Sequence, residues 1–128
     1  MGMGEDLRTE RRRLGDAAEE SALAHLVRDG YQVLARNVSC RYGELDIVAE
    51  KGGVVCFVEV RMRSSNAFGD PAMTVSRAKQ RRVVLAAHHY LRVARLPPSI
   101  LRFDVVSVLG RGKDAFIEHI PGAFDAGF

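Results

Sequence analysis

Cysteine is scarce in this chain. Cys40 and Cys56 are the only two, too few for a disulfide framework or a zinc site, and they point to a reducing compartment and a cytoplasmic protein. No apolar run approaches the ~20 residues of a membrane span, and the N-terminus has no apolar core of the secretory-leader kind. Internal repeats, low-complexity stretches and Pro/Gly-rich linkers are all missing, so the 128 residues read as one domain. Met1-Gly2 does not open a myristoylation signal, because Asp6 stands where Ser or Thr is needed. Gly110-Arg111-Gly112-Lys113 lacks the spacing and the following helix of a phosphate loop. His25, His88, His89 and His119 are not at metal-ligand spacing with another ligand and read as surface or core residues.

What remains is an ordinary globular balance, 47% hydrophobic and 27% charged, with a core large enough to need no covalent staples. The net charge of +3 hides an uneven distribution. Residues 61–95 carry Arg61, Arg63, Arg77, Lys79, Arg81, Arg82, Arg92 and Arg95 against the single acid Asp70, a local +7 beside −4 for the rest. That asymmetry suits a polyanion, with nucleic acid ahead of a membrane surface. Arg77, Arg81 and Arg92, each taken singly, read as ordinary solvated helix charges.

Hydrophobic periodicity predicts a helix from about Arg8 to Asp29, after seven frayed residues, with Leu14, Ala18, Ala22 and Leu26 on one face and Gly30 as its stop. Strands are expected at Tyr31–Arg36, Tyr42–Ala49 and Val54–Arg61, with Asn37–Arg41 a connection and Lys51-Gly52-Gly53 a hairpin turn. Strict alternation would put Glu44, Asp46 and Val48 on one face of the second strand and Leu45, Ile47 and Ala49 on the other. After a loop at Ser64–Pro71, a second helix is expected from Val75 or Arg77 to Arg95, capped by Thr74 or Ser76 and ended by Pro97-Pro98. Leu101–Leu109 and Ala115–Ile120 read as strands, the last an edge strand. Phe57, Phe68, Tyr90, Phe103 and Phe116 are expected in the core, and the two cysteines as small packing residues. The order αβββαββ makes an α/β or α+β layered fold, helices packed on a sheet.

Acids inside strands are the informative feature. Asp is disfavoured there, and an ionised carboxylate among apolar neighbours costs several kcal/mol unless paired or metal-bound. Asp46 stands in Glu-Leu-Asp-Ile-Val, and Glu59 stands between Val58 and Val60, sharing a face with Val55, Phe57 and Arg61. If the hairpin pairs through Gly52-Gly53, Asp46 approaches Glu59, and two carboxylates on adjacent strands suit a hard cation such as Mg²⁺ or Mn²⁺. A cross-strand Glu–Arg ion pair on a solvated face is the plainer alternative. On the first helix, periodicity does not choose between Glu19 and Glu20 as an inward-facing acid.

Gly43-Glu44-Leu45-Asp46-Ile47-Val48-Ala49 followed by Phe57-Val58-Glu59-Val60-Arg61-Met62-Arg63 resembles the core of the PD-(D/E)xK nuclease superfamily. More narrowly, the chain resembles the bacterial endonuclease-like family called YraN, related to archaeal Holliday-junction resolvases. The likeness continues through Ala18-Glu19, Gly30-Tyr31, Arg36-Asn37, Phe68-Gly69-Asp70-Pro71, Lys79-Gln80-Arg81-Arg82, Arg102-Phe103-Asp104-Val105-Val106, His119-Ile120 and Ala123-Phe124. It implies an α/β, restriction-endonuclease-like fold, a mixed β-sheet flanked by helices. It also implies a Mg²⁺ or Mn²⁺ centre held by Asp46, Glu59 and the Val60 carbonyl, with Glu19 as a further ligand or a partner of a bound water. Glu44 would orient that shell or remain a surface acid. Arg63, Lys79, Arg81 and Arg82 would contact phosphates, and Gln80 a phosphate or a bound water.

The motif's third position is usually lysine, and here it is Arg61. Arginine stays protonated and cannot take a proton from water, but its fork suits a phosphate. Two functions follow as expectations. One is a metal-dependent DNA endonuclease, acting on branched or repair-intermediate DNA, with Glu19, Asp46, Glu59 and Arg61 at its centre. The other is a non-catalytic nucleic-acid-binding or interaction module that keeps the nuclease fold. Resolvases of the superfamily act as dimers, which makes a homodimer a candidate by resemblance alone.

Overall fold

The computed structural model describes residues 3–63, 75–97 and 100–125, with side chains from residue 12 onward. Its elements follow the expected order: α1 (Met3–Arg28), β1 (Gln32–Cys40), β2 (Gly43–Lys51), β3 (Val54–Arg63), α2 (Arg77–Ala94), β4 (Ile100–Leu109) and β5 (Phe116–Phe124). The five strands form one sheet in the order β1-β2-β3-β4-β5. Three pairings are antiparallel, and β3 with β4 is parallel, a pairing that needs a crossover, which α2 supplies. The fold is therefore mixed α/β and consistent with the restriction-endonuclease-like class.

Local chemistry sets the ends of the elements. α1 closes in a Schellman arrangement: the Tyr31 N–H donates to Leu26 O at 3.0 Å, and the Gly30 N–H donates to Val27 O at 3.0 Å. Gly30 takes φ 91°, open to glycine and strained for most residues. Gly52 and Gly53 have φ 59° and 82°, as the primed two-residue hairpin turn between β2 and β3 requires. Ser76 caps α2, its Oγ accepting from the Lys79 N–H at 3.1 Å.

Each face of the sheet carries one helix and one core. On one face Ala18, Ala22 and Leu26 of α1 pack on Ile47, Ala49, Cys56, Val58, Val106 and Val108. On the other, Val83, Val84, Ala86 and Ala87 of α2 pack on Leu45, Val48, Val55, Phe57 and Phe103. Among the described residues no helix is long and apolar enough to cross a membrane.

Several sequence expectations need correction. The first helix begins at Met3, so residues 3–7 are helical rather than frayed. β1 runs through Asn37 to Cys40 where a connection was expected, with Asn37 at a left-handed φ of 52° inside the strand. Strict alternation in β2 also fails. Leu45 packs with Val48 on the α2 side, whereas Ile47 and Ala49 face α1. The slip falls at Asp46, which lies with Asn37 between the pairs Arg36↔Ile47 and Val38↔Leu45. β5 extends to Phe124, and Phe116 at its start is 65% exposed, not core. Ala78 and Ala94 of α2 are exposed. The expected loop at 64–71, the Phe68–Pro71 motif and the Thr74 cap lie outside the described residues.

Beside the hairpin strand β3, one buried acid ties three segments together. Asp104 of β4 is fully buried. It accepts from Arg102 Nε at 2.9 Å, Arg102 Nη2 at 2.8 Å, His119 Nε2 at 2.8 Å and the Gly122 N–H at 3.0 Å. Arg102 Nη2 also donates to the Tyr31 hydroxyl at 2.7 Å, joining the segment after α1. Burial alone would raise the Asp104 pKa, but the bonds from His119, Arg102 and Gly122 outweigh it and hold the carboxyl at about 2. Burial, reinforced by the Asp104 charge, pushes the Cys56 thiol up to about 11, which fits a packing cysteine.

Asp104→Asn should cost about 3 kcal/mol at pH 7, because it leaves the Arg102 and His119 donors facing a neutral amide. Urea denaturation of both proteins checks this. The folded pKa of Asp104 lies below the unfolded value of 3.8, so its contribution is full above that value and is lost as pH falls through about 2. The difference between the two proteins should shrink over the same interval.

Candidate metal and phosphate site

The sheet forks at its centre. The β2–β3 ladder runs from Lys51↔Val54 to Ile47↔Val58 and stops. β2 continues beside β1 to Gly43, and β3 continues beside β4 to Arg63. The next residues past the last rung are Asp46 and Glu59. The Val60 N–H, which a continuing ladder would give to a main-chain carbonyl of β2, donates instead to Asp46 Oδ2 at 2.8 Å. The carboxylate has entered the space between the strands and ended their pairing.

The fork opens a cleft of about 480 Å³, lined among others by Arg12, Glu19, Asp46, Glu59, Arg61 and Lys79. Glu59 is 3% exposed. Its Oε1 lies 2.8 Å from Lys79 Nζ, which reaches down from the first turn of α2. Asp46 and Glu59 are close enough to share a hydrogen bond when one of them is protonated. Burial first, and the neighbouring Glu59 charge second, raise the Asp46 carboxyl to about 7 despite the bond from Val60.

Glu19 and Glu20 part company on α1. Glu19 lines the cleft, and the Asn37 amide, with its nitrogen turned inward, donates to both Glu19 oxygens at 2.9 and 3.2 Å. Burial raises the Glu19 pKa, with Arg36 and Asn37 opposing. Glu20 points away and pairs with Arg36 Nη2 at 2.7 Å. Glu44 is exposed at the cleft wall.

Of the residues singled out from sequence, Glu19, Asp46, Glu59, Val60, Arg61 and Lys79 meet in the cleft, whereas Arg63, Gln80, Arg81 and Arg82 do not. Gln80 Nε2 donates to Val75 O at 2.9 Å, which turns the amide toward the start of its own helix rather than toward the carboxylates. Arg81 and Arg82 are exposed on α2. Sequence reasoning missed Arg12 at the rim, Asn37 behind Glu19, and the descent of Lys79 onto Glu59. Only for Asn37 was there a local signal: asparagine is enriched at left-handed positions inside strands.

The donor chemistry fits a hard divalent ion in part. Asp46 and Glu59 offer carboxylate oxygens whose mutual repulsion a cation would relieve. Among the described residues, no three His, Cys, Asp or Glu side chains close around one point. The centre is thus a two-carboxylate pair, with Glu19 elsewhere in the lining of the same cleft.

A family model described as "Uncharacterised protein family UPF0102" matches residues 18–108, a span that contains every cleft residue named above except Arg12. A UPF0102 protein of Myxococcus xanthus is 58% identical over 118 residues, covering 92% of this chain and 94% of its own. One of Geobacter metallireducens is 42% identical over 115 residues, covering 90% and 94%. One of Cupriavidus pinatubonensis is 50% identical over 113 residues, covering 87% and 84%.

Asp46→Asn should stabilise the metal-free protein by about 1–3 kcal/mol at neutral pH, because the amide keeps the acceptor for Val60 and no longer repels Glu59. The folded pKa of Asp46 is above its unfolded value of 3.8, so wild-type stability falls as pH rises from there toward 7. Thermal melts at a series of pH values should show the two proteins alike near pH 4 and the variant ahead by pH 7.

Proposed function

The chain belongs to the UPF0102 family, a PD-(D/E)xK nuclease-like family, and from that premise we propose that it is a metal-dependent DNA endonuclease acting on branched or repair-intermediate DNA. One observation carries the reading: the sheet forks at Asp46 and Glu59, and the cleft so formed has carboxylates on its floor and Arg12, Arg61 and Lys79 around them. Carboxylates alone would repel a phosphodiester, and cations alone would bind one without chemistry. Together they suit a phosphate and a divalent ion side by side.

In this reading Asp46, Glu59 and the Val60 carbonyl hold Mg²⁺ or Mn²⁺, and Glu19 with Asn37 behind it reaches that shell through water. When bound, the ion would lower the pKa of a water and offset charge on the phosphate oxygens. Arg61 orients the scissile phosphate through its fork and, being permanently protonated, takes no proton itself. Arg12 adds charge at the rim. Arg81 and Arg82, exposed on α2, hold the flanking backbone without reading sequence. Two unpaired cysteines support a cytoplasmic setting.

Cleavage of single-stranded, duplex and four-way-junction DNA in Mn²⁺ tests the proposal. We expect wild type to cut the junction fastest and Asp46→Asn to lose at least about 100-fold, the size of losing a metal ligand's transition-state contribution. Undiminished cleavage by the variant would sink the assignment. Arg61 in the motif lysine's place favours a second reading, a binding module without catalysis. Calorimetry separates them: salt-sensitive DNA binding with no Mg²⁺ or Mn²⁺ uptake belongs to the module.

A further inference from the structure

Lys79 is expected to contact phosphates together with Arg81 and Arg82. Its side chain spans from the helix to Glu59 in the cleft. Its backbone is pinned, the N–H donating to Ser76 Oγ at the helix cap. Its side chain is 40% exposed, while the Glu59 side chain it meets at 2.8 Å is 4% exposed. The ammonium therefore comes in from the open side and ends on a buried oxygen. Glu59 and Asp46 together bring two acids to one place, and Lys79 is in ion-pair contact with the first of them. A lysine is a compact charge on a flexible stem, which can leave such a contact without moving its helix.

On the basis of the metal centre proposed above, we propose that Lys79 is the protein's own counter-ion at that centre: it pairs with Glu59 when no metal is present, competes with the divalent ion for that carboxylate, and swings to the phosphate side of the cleft once displaced. Lys79 is then a positioning residue that couples metal entry to phosphate contact. Glu59 cannot give its full charge to both cations, so occupancy by one weakens the other. The released ammonium stays in the cleft with Arg61 and Arg12, where a phosphodiester would meet it. No bond is made or broken in the exchange.

Mn²⁺ titration calorimetry on the full chain without DNA tests this directly. Lys79→Met should bind Mn²⁺ roughly ten-fold more tightly than wild type, the size of removing one unit charge a few ångströms from a divalent ion in screened surroundings. Lys79→Arg keeps the charge and should bind no more tightly than wild type. Arg81→Met, an exposed charge two residues along the same helix, should change affinity less than two-fold. Lys79→Gln gives the same reading if the methionine variant does not fold. If wild type binds Mn²⁺ and Lys79→Met binds equally or more weakly, the counter-ion role is overturned while the metal centre stands. Equal tightening by Lys79→Met and Arg81→Met, or by Lys79→Met and Lys79→Arg, overturns it as well. Absence of Mn²⁺ binding in every variant removes the metal centre itself and the counter-ion role with it.

Discussion

Two carboxylates meeting across neighbouring strands is the constraint around which this molecule is organised. Asp46 and Glu59 occupy the first positions beyond the last rung of the β2–β3 ladder. Continued pairing would press their charges together in a region already short of water, and like charges directly opposite one another destabilise a sheet. The strands separate there, Asp46 takes the Val60 N–H for itself, and a cleft results where a flat sheet would have had none. The left-handed Asn37, the alternation slip in β2 and the inward turn of Glu19 all lie beside that separation.

The two strand aspartates, Asp104 buried and Asp46 half-buried, show what distinguishes a structural acid from one held in reserve. Asp104 receives four hydrogen bonds, two of them from a guanidinium, and its pKa falls to about 2. Asp46 receives one bond from Val60 and lies against another carboxylate, so burial and repulsion raise it to about 7. The same side-chain type is thus locked in place in the middle of β4 and left under-compensated at the fork. Acids kept in the second condition cost stability, and such sites are where function is most often found. The Asp104 network joins β4, β5 and the segment after α1 beside Val58, the β3 residue of the last β2–β3 rung.

The surroundings of the carboxylates bear on what the cleft can hold. Arg12, Arg61 and Lys79 come from α1, β3 and α2, so both helices and the sheet contribute a cation. A purely structural ion-pair cluster would close upon itself and exclude solvent. This one stays open, with Glu59 buried and its partner Lys79 two-fifths exposed. Arg61 brings a planar guanidinium to the cleft and Lys79 a compact ammonium on a flexible stem, the latter paired with Glu59.

Most of the architecture was legible in the sequence because its signals are local. The 3.6-residue period of α1, the Gly30 stop, the Gly52-Gly53 turn and the Ser76 cap each depend on neighbours a few residues away. Acids inside apolar strands announced Asp46 and Glu59, since nothing short of a partner or an ion excuses them there. The charge asymmetry of residues 61–95 was likewise plain from composition. Tertiary structure decided the rest: that Glu19 turns inward and Glu20 outward, that β2 changes faces at Asp46, that Asp104 is locked by residues from three segments, and that Lys79 reaches Glu59 rather than the outer face of α2. Each depends on which distant elements meet and where a ladder ends, and contacts of that kind leave no periodicity in the chain itself.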